Sequence, residues 1–516
     1  MAVSDVKDYA HLSAEDVEAI GAELDAIRAE VVDSLGEADR RYVRNTIALQ
    51  RGLVAGGRAV LLFSGHRPAW VIRTGLLAAG KIIENMELGH NVMHGQWDWM
   101  NDPEIHSTTW EWDIVGTSEH WKATHNFHHH KYTNIIGMDD DVGYGVVRVT
   151  RDQPWHPASA LNIVWNAVLA FAFQWGVGVQ HLEIAPGTIN SSGWPEQRRR
   201  IGQFLRKARR QVGKDYLWWP MLSGGDRRST LTANATANVI RNLWSNAVIF
   251  CGHFPDGADK FTLDDLEEET QAQWYLRQML GSANFTGGRL THFMSGNLSF
   301  QIEHHLFPTL PSNRYADLSV RVQDVCRRWD LPYTTGPLYK QYWQSWRTIA
   351  RLSLPDRFLT ATSDDAPETR SERMFDGQPR VYDDHEGPRS GLVTALRHHR
   401  ARRSRAAWPA TIRCGGGRTS GVARPRSARP RHRRVPWSPA RTFYRCRIPG
   451  RWRRPPSPSP PSCGGHPSPL PRGCRRGPRD RCRRRRHATT RSLLWVPDSC
   501  TWASALRPRK RRSALN

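Results

Sequence analysis

Four histidines fall within six positions of HNFHHHKYTN (125–134): His125, His128, His129 and His130. Neutral imidazole is a common metal ligand, so a cluster of this density raises metal chemistry first. Two further groups stand apart from it, GHNVMH with His90 and His94, and QIEHH with Gln301, His304 and His305. On a helix, His90 and His94 share one face a turn apart, which is the geometry for two donors to one metal. Gln301 with His304 and His305 repeats that geometry at spacings of three and four. A single such pair is commonly incidental; three groups in one chain, each beside apolar sequence, read as a metal site. Eight histidines and a glutamine exceed the four donors that zinc usually takes. Imidazole-rich, thiolate-poor ligation of this size suits two iron ions. Within the second group, helical geometry alone favours His125, His128 and His129, at i, i+3 and i+4.

The elements that must position these groups are legible in part. Residues 13 to 56 read as soluble helix: Ser13 and Asp16 have capping spacing, and Val17, Ile20 and Leu24 recur at helical intervals. Between Asp152 and Glu183 no charged residue occurs, and PASALNIVWNAVLAFAFQWGVGV fills the centre. About 20 apolar residues span a bilayer as one helix, so this stretch is expected to be one transmembrane span rather than two. NLWSNAVIFCG (242–252) is shorter, a span end or a buried helix. TLDDLEEETQAQWYLRQML (262–280) reads as an amphipathic surface helix with Thr262 and Asp265 at capping spacing. Trp97, Trp99, Trp110 and Trp112 lie between the first two histidine groups, where an interfacial belt and ordinary core packing are both admissible.

Composition divides the 516 residues into two unlike parts. Residues 391–516 hold 33 Arg and one Lys against only Asp480 and Asp498, whereas the first 390 residues hold 40 basic and 47 acidic side chains. The formal net charge of +25 is therefore a property of the tail. Cys251 and Cys326 are the body's two cysteines, which fits a reducing compartment and not a disulfide scaffold. The start, MAVSDVKDYAHLSAEDVEAI, has no basic segment followed by an apolar run, so no signal peptide is expected. The Arg/Pro-rich tail cannot bury enough apolar surface to fold and is expected to be disordered. Electrostatic binding to nucleic acid or anionic lipid and a natural extension compete with a third reading, GC-rich DNA translated in the wrong frame. The last is preferred, and no nucleic-acid partner is expected.

The three boxes have flanks KIIENMELGHNVMHGQWDWMNDPEIHSTTWEWD, HNFHHHKYTNIIGMDDDVGYG and NLSFQIEHHLFPTLPSNRY. Together they resemble the tripartite signature of membrane fatty-acid desaturases, most of all the actinobacterial acyl-CoA Δ9 branch, over roughly residues 15 to 375. The resemblance implies an all-α fold, a multi-pass membrane bundle of four transmembrane helices with a cytosolic histidine-box cap holding two iron ions. It also implies a bacterial cytoplasmic membrane location with the boxes facing the cytosol, and O2 as co-substrate. The implied reaction is insertion of a cis double bond into a saturated C16 or C18 acyl-CoA, with an acyl-lipid desaturase or a fatty-acyl hydroxylase of the same fold as alternatives. Abstraction of hydrogen from unactivated methylenes is beyond any side-chain base, so the hard step belongs to the metal. Two electrons per turnover would come from a separate NAD(P)H reductase or ferredoxin-type protein.

In that family the paired histidines of the second box are commonly followed by two residues and a threonine. Lys131, Tyr132 and Thr133 then make His129 and His130 the pair, with His125 the first ligand and His128 the extra residue. The family also uses a histidine upstream of the third box, which His253 in IFCGHFPDG matches. The implied ligands are His90, His94, His125, His129, His130, His253, His304 and His305, with His128 and Gln301 as further possible donors. His292 reads as a bystander, and His106, His120, His156 and His181 as interface or loop residues. Asp139, Asp140 and Asp141 read as a solvated acidic loop, with charge balance for iron or contact to a headgroup as the alternatives. The expected organisation is an N-terminal helical segment (1–56), a desaturase core (57–345), a cytosolic extension (346–400) and the tail (401–516).

Overall fold

Ser13 and Asp16 form the reciprocal cap that their spacing predicts: the Ser13 hydroxyl accepts from the Asp16 amide at 3.1 Å, and the Asp16 carboxylate accepts from the Ser13 amide at 2.8 Å. The helix they start, Ala14–Asp33, buries Val17, Ile20 and Leu24. In the computed structural model of the protein, residues 9–60, 66–180, 182, 189–261 and 269–359 are described. His181, Thr262, Asp265, most of the 346–400 extension and the whole 401–516 tail lie outside the described residues.

Helices make up nearly all of the regular structure. The strands among the described residues are Asn284–Thr286 and Thr335–Pro337, paired in parallel. Val17, Ile20 and Leu24 pack on Ala272, Tyr275, Leu276 and Met279 and on Leu306, Phe307, Leu318 and Val322, the largest apolar cluster among the described residues. It lies directly behind the QIEHH helix, Gln301–Leu306. The helix expected on the surface is described from Gln271 to Gly281, capped by Thr270 with Gln273, and buries eight of its eleven residues.

Two long elements deliver histidines to one place. The helix Arg67–Ile83 continues through a π-helical stretch, Glu84–His90, into the turn Asn91–Met93 that ends at His94. The helix Arg227–His253 lies beside it and runs the same way, since Arg73 bonds Thr230 at 3.0 Å near one end and Asn85 bonds Ser245 at 3.1 Å near the other. NLWSNAVIFCG is thus the buried C-terminal half of that helix. The chain continues helically across residue 56, in Glu37–Ala59, and across residue 345, in Leu338–Arg351.

The apolar run after the second box differs from the single span expected. It forms two helical pieces, Pro157–Phe171 and Phe173–Gln180, bent by 101°. At the break, the Phe171 carbonyl accepts a hydrogen bond from Asn242 Nδ2 at 2.8 Å, which satisfies a backbone group that the bend releases. No single described helix is long and apolar enough to cross a membrane; this bent pair passes by length and composition. Ile163, Val164, Trp165, Val168 and Phe171 on its first piece are exposed.

Candidate metal centre

All eight histidines implied as ligands meet in the interior, none more than 8 % exposed. They form overlapping groups whose candidate ligand atoms lie within 4.8 Å of one another: His90, His94, His125 and His304; His125, His129 and His130; and His129, His253 and His305. His130 bridges the two ends, its ring centroid 4.6 Å from that of His94 and 4.5 Å from that of His305.

The second box is placed by a π-helix, Lys122–His129, and there the simple helical expectation fails. The His130 amide donates to the His125 carbonyl, an i→i+5 bond that widens the turn. In the wider turn residues four and five apart share a face, so His125, His129 and His130 point together. His128 is left half-buried, with its ring against Phe127 at 5.2 Å, and belongs to none of the groups. No residue type in this stretch announces a π-turn, so a spacing of 3.6 residues per turn brings together a different set from the one that shares a face here.

Hydrogen bonds on the outer ring nitrogens fix which nitrogen faces inward. His129 Nδ1 donates to both oxygens of Asp139, at 3.0 and 2.9 Å, and His125 Nδ1 to Asp141 at 3.0 Å. Tyr315 holds His304 Nδ1 at 3.1 Å; Gln278 holds His305 Nδ1 at 2.9 Å, with the Thr133 hydroxyl at 3.2 Å. Asp139 is buried and Asp141 half-buried, which corrects the reading of DDD as a solvated loop; Asp140 alone is exposed. Buried imidazole N–H groups need acceptors, and two carboxylates ten and sixteen residues beyond their partners supply them. Their closeness to the second box was the available signal. Tyr315 and Gln278 carried none.

Gln301 is buried, and its carboxamide nitrogen meets His253 Nε2 at 3.0 Å. Gly252 lets it sit there: a Cβ at 252 would lie 2.9 Å from Gln301 Cγ and Cδ. His292 stays outside the groups, stacked on Phe300 and bonded to Ser299. His106 and His156 are likewise outside them, on a half-buried and an exposed site, and His120 is buried without joining them.

Burial and the neighbouring imidazoles hold His130, His304 and His305 well below the ordinary histidine pKa, so these rings are neutral. His129 goes the other way: burial opposes its charge, but Asp139 outweighs burial and raises its basicity. Inward, Nε2 of His94, His129, His130, His304 and His305 has no hydrogen-bond partner among the described residues. A buried polar atom without a partner costs on the order of 1–3 kcal/mol, so five converging ones demand an acceptor of lone pairs. Neutral nitrogen donors without thiolate fit iron; Cys251 and Cys326 belong to none of the groups.

Beside the donors runs a cavity lined by His90 and His125 and by the apolar side chains of Met86, Trp112, Trp121 and Phe173, among others.

A family model described as fatty acid desaturase matches residues 68–337. Over 410 residues the chain is 59% identical to the NADPH-dependent stearoyl-CoA 9-desaturase of two Mycobacterium tuberculosis strains, covering 78% of this chain and 96% of the relative. It is 24% identical over 278 residues to the sn-1 linoleoyl-lipid 6-desaturase of Synechocystis, covering 51% of this chain and 75% of that one.

Proposed function

The chain belongs to the fatty acid desaturase family, and from that premise we propose that it inserts a cis-Δ9 double bond into stearoyl-CoA and similar saturated C16–C18 acyl-CoAs, with O2 and two electrons from a separate reductase. It is an oxidoreductase. The observation that carries the proposal is the convergence of eight buried histidines beside a cavity that His90 and His125 line together with Met86, Trp112, Trp121 and Phe173. We assign His90, His94, His125, His129, His130, His253, His304 and His305 as the ligands of two iron ions, and Gln301 as the residue that orients His253.

Bound there, iron with O2 supplies the oxidising power to remove hydrogen from unactivated methylenes. The protein's own residues do the positioning. Asp139 and Asp141 keep His129 and His125 in the tautomer whose Nε2 lone pair faces inward. Burial keeps His130, His304 and His305 unprotonated at neutral pH, so their lone pairs are available. The Trp112, Trp121 and Phe173 walls exclude water and hold a straight acyl segment past His90 and His125, which selects one C–C bond for reaction.

We place the enzyme at a bacterial cytoplasmic membrane with the histidine boxes on the cytosolic side and four helices in the bilayer. Exposed apolar residues on the bent pair, with Leu217, Trp218, Met221 and Leu222, support a lipid-facing surface.

The test is the fatty-acid profile, with double-bond positions, of a host supplied with a matching reductase and expressing the wild type or His130→Ala. A new Δ9 monounsaturated acid that the variant lacks supports the proposal. Hydroxylated product, or product confined to intact glycerolipids when acyl-CoA is supplied directly, refutes it in favour of a sibling activity.

A further inference from the structure

The cavity beside the histidines does not stay apolar along its length. Its lining includes Asn85, Gln174, Arg241, Asn242 and Ser245. Four of these are buried, Arg241 at 2 % exposure, and Asn85 is half-buried. Arg241 forms no ion pair among the described residues, and its Nη2 has no hydrogen-bond partner there. Its Nε donates to Asn242 Oδ1 at 3.0 Å, while Asn242 Nδ2 holds the Phe171 carbonyl at the bend of the broken helix. Gln174 Oε1 is also without a partner, and Asn85 donates to the Ser245 hydroxyl at 3.1 Å. A guanidinium placed this way on the cavity wall resists being covered by an apolar chain, because stripping its solvent without replacement is costly.

We infer that Arg241, with Asn242 and Gln174, forms a polar shelf beneath the Ser245–Asn85 pair that ends the acyl-binding cavity and sets the length of chain beyond the reacting bond. The inference rests on the desaturase reading of the site.

Depth supports it. Ile249, Ser245 and Arg241 precede His253 on one helix by four, eight and twelve residues, which at 1.5 Å rise places them about 6, 12 and 18 Å below it. With C–C bonds near 1.5 Å, an extended chain advances roughly 1.3 Å per carbon, so the nine carbons beyond the ninth of an 18-carbon chain reach about 11 Å. Ile249 then flanks the middle of that tail, and its methyl end stops at the Ser245 level with the Arg241 shelf beneath. Each methylene accommodated by apolar wall gains roughly fourfold in binding. One pushed onto the shelf gains nothing and covers a charged group.

The test is competition among saturated C14, C16, C18, C20 and C22 acyl-CoAs, using full-length enzyme in membranes with its reductase. Arg241→Met removes the charge at similar length, and the C20:C18 product ratio should rise roughly fivefold or more. Ser245→Leu fills the level above the shelf and should raise the C16:C18 ratio by a similar factor. If Arg241→Met does not accumulate, Ser245→Leu alone decides. A chain-length profile identical to wild type in either folded, active variant overturns the shelf. Wild-type membranes that desaturate none of the five acyl-CoAs refute the desaturase reading instead.

Discussion

Asp139→Asn is the sharpest test of how the metal centre is held. The Asp139 carboxylate is buried and accepts from His129 Nδ1 through both oxygens, from the Asn134 amide at 2.8 Å and from the Asp141 amide at 2.9 Å. An asparagine keeps one acceptor oxygen. Its NH2 must then face either His129 or a backbone N–H, so at least one donor loses its partner. A hydrogen bond to a charged group contributes about 1.5–3 kcal/mol. Loss of such a partner behind a metal-binding histidine typically lowers metal affinity or activity 10- to 100-fold, or about 1.4–2.7 kcal/mol. Iron per chain, measured after dialysis against graded chelator, should therefore fall at chelator strengths where the wild type keeps its metal, with a parallel loss of desaturation. Asp140→Asn, at the exposed neighbouring position, should retain both. Equal iron retention and equal rate in Asp139→Asn and wild type would refute the orienting role.

Three further expectations follow from the same geometry. His128→Ala should leave product formation within about twofold, since His128 sits off the shared face, whereas His130→Ala should abolish it; fatty-acid analysis of expressing cells decides, and a null His128 variant would overturn the π-helical assignment. Asp39 is a pH probe of stability: burial opposes its ionisation, but bonds from Arg314, Asn313 and the Gly36 amide outweigh burial and hold its pKa below the ordinary value. Because the unfolded chain takes up the proton first, that stabilisation is complete above about pH 4 and is lost as the pH falls through the folded-state value. The melting-temperature gap between wild type and Asp39→Asn should accordingly be constant from pH 6 to 8 and narrow below about 4; a gap that widens in acid contradicts the sign. Gly252→Ala puts a methyl group 2.9 Å from Gln301 and should cost about 1–3 kcal/mol of stability by overpacking, seen as a lower melting temperature and weaker iron retention; an unchanged midpoint would show that Gln301 can yield.

What the amino-acid order discloses about this site depends on which periodicity the backbone follows. His304 and His305 sit on an ordinary helix, and their register follows from spacing alone. His125, His129 and His130 do not, because the i→i+5 turn is a backbone event that no residue type in KATHNFHH announces. The apolar run at 157–180 has the length and composition of a span but bends by 101°, since Asn242, seventy residues later, is there to take the released carbonyl. Asp139 and Asp141 read as solvent-facing charge because charge alone is legible in sequence; what draws them inward is the ring N–H groups of His129 and His125, ten and sixteen residues earlier. Arg241 was hidden for the same reason, as one cationic letter inside a helix whose partners come from distant segments.

Burial has two consequences at this centre, and they depend on each other. By expelling water it holds His130, His304 and His305 neutral, which makes their lone pairs available; by expelling water it also leaves those nitrogens without partners. A cluster of solvent-exposed histidines would bind metal in competition with protons and water. In this interior the competitor is removed and the donors are held at fixed separation by packing from behind, where the Gln301–Leu306 helix rests on the cluster built by Ile20, Leu24, Leu276 and Leu318. His129 is the exception that supports the logic: both oxygens of the buried Asp139 carboxylate face its Nδ1, and its basicity rises. A donor strengthened by Asp139 among weaker neutral ones makes the two ends of the cluster electronically unequal. The end comprising His129, His253 and His305 is therefore expected to hold its metal more tightly than the end of His90, His94, His125 and His304, and stepwise chelation monitored by iron content should release iron in two phases.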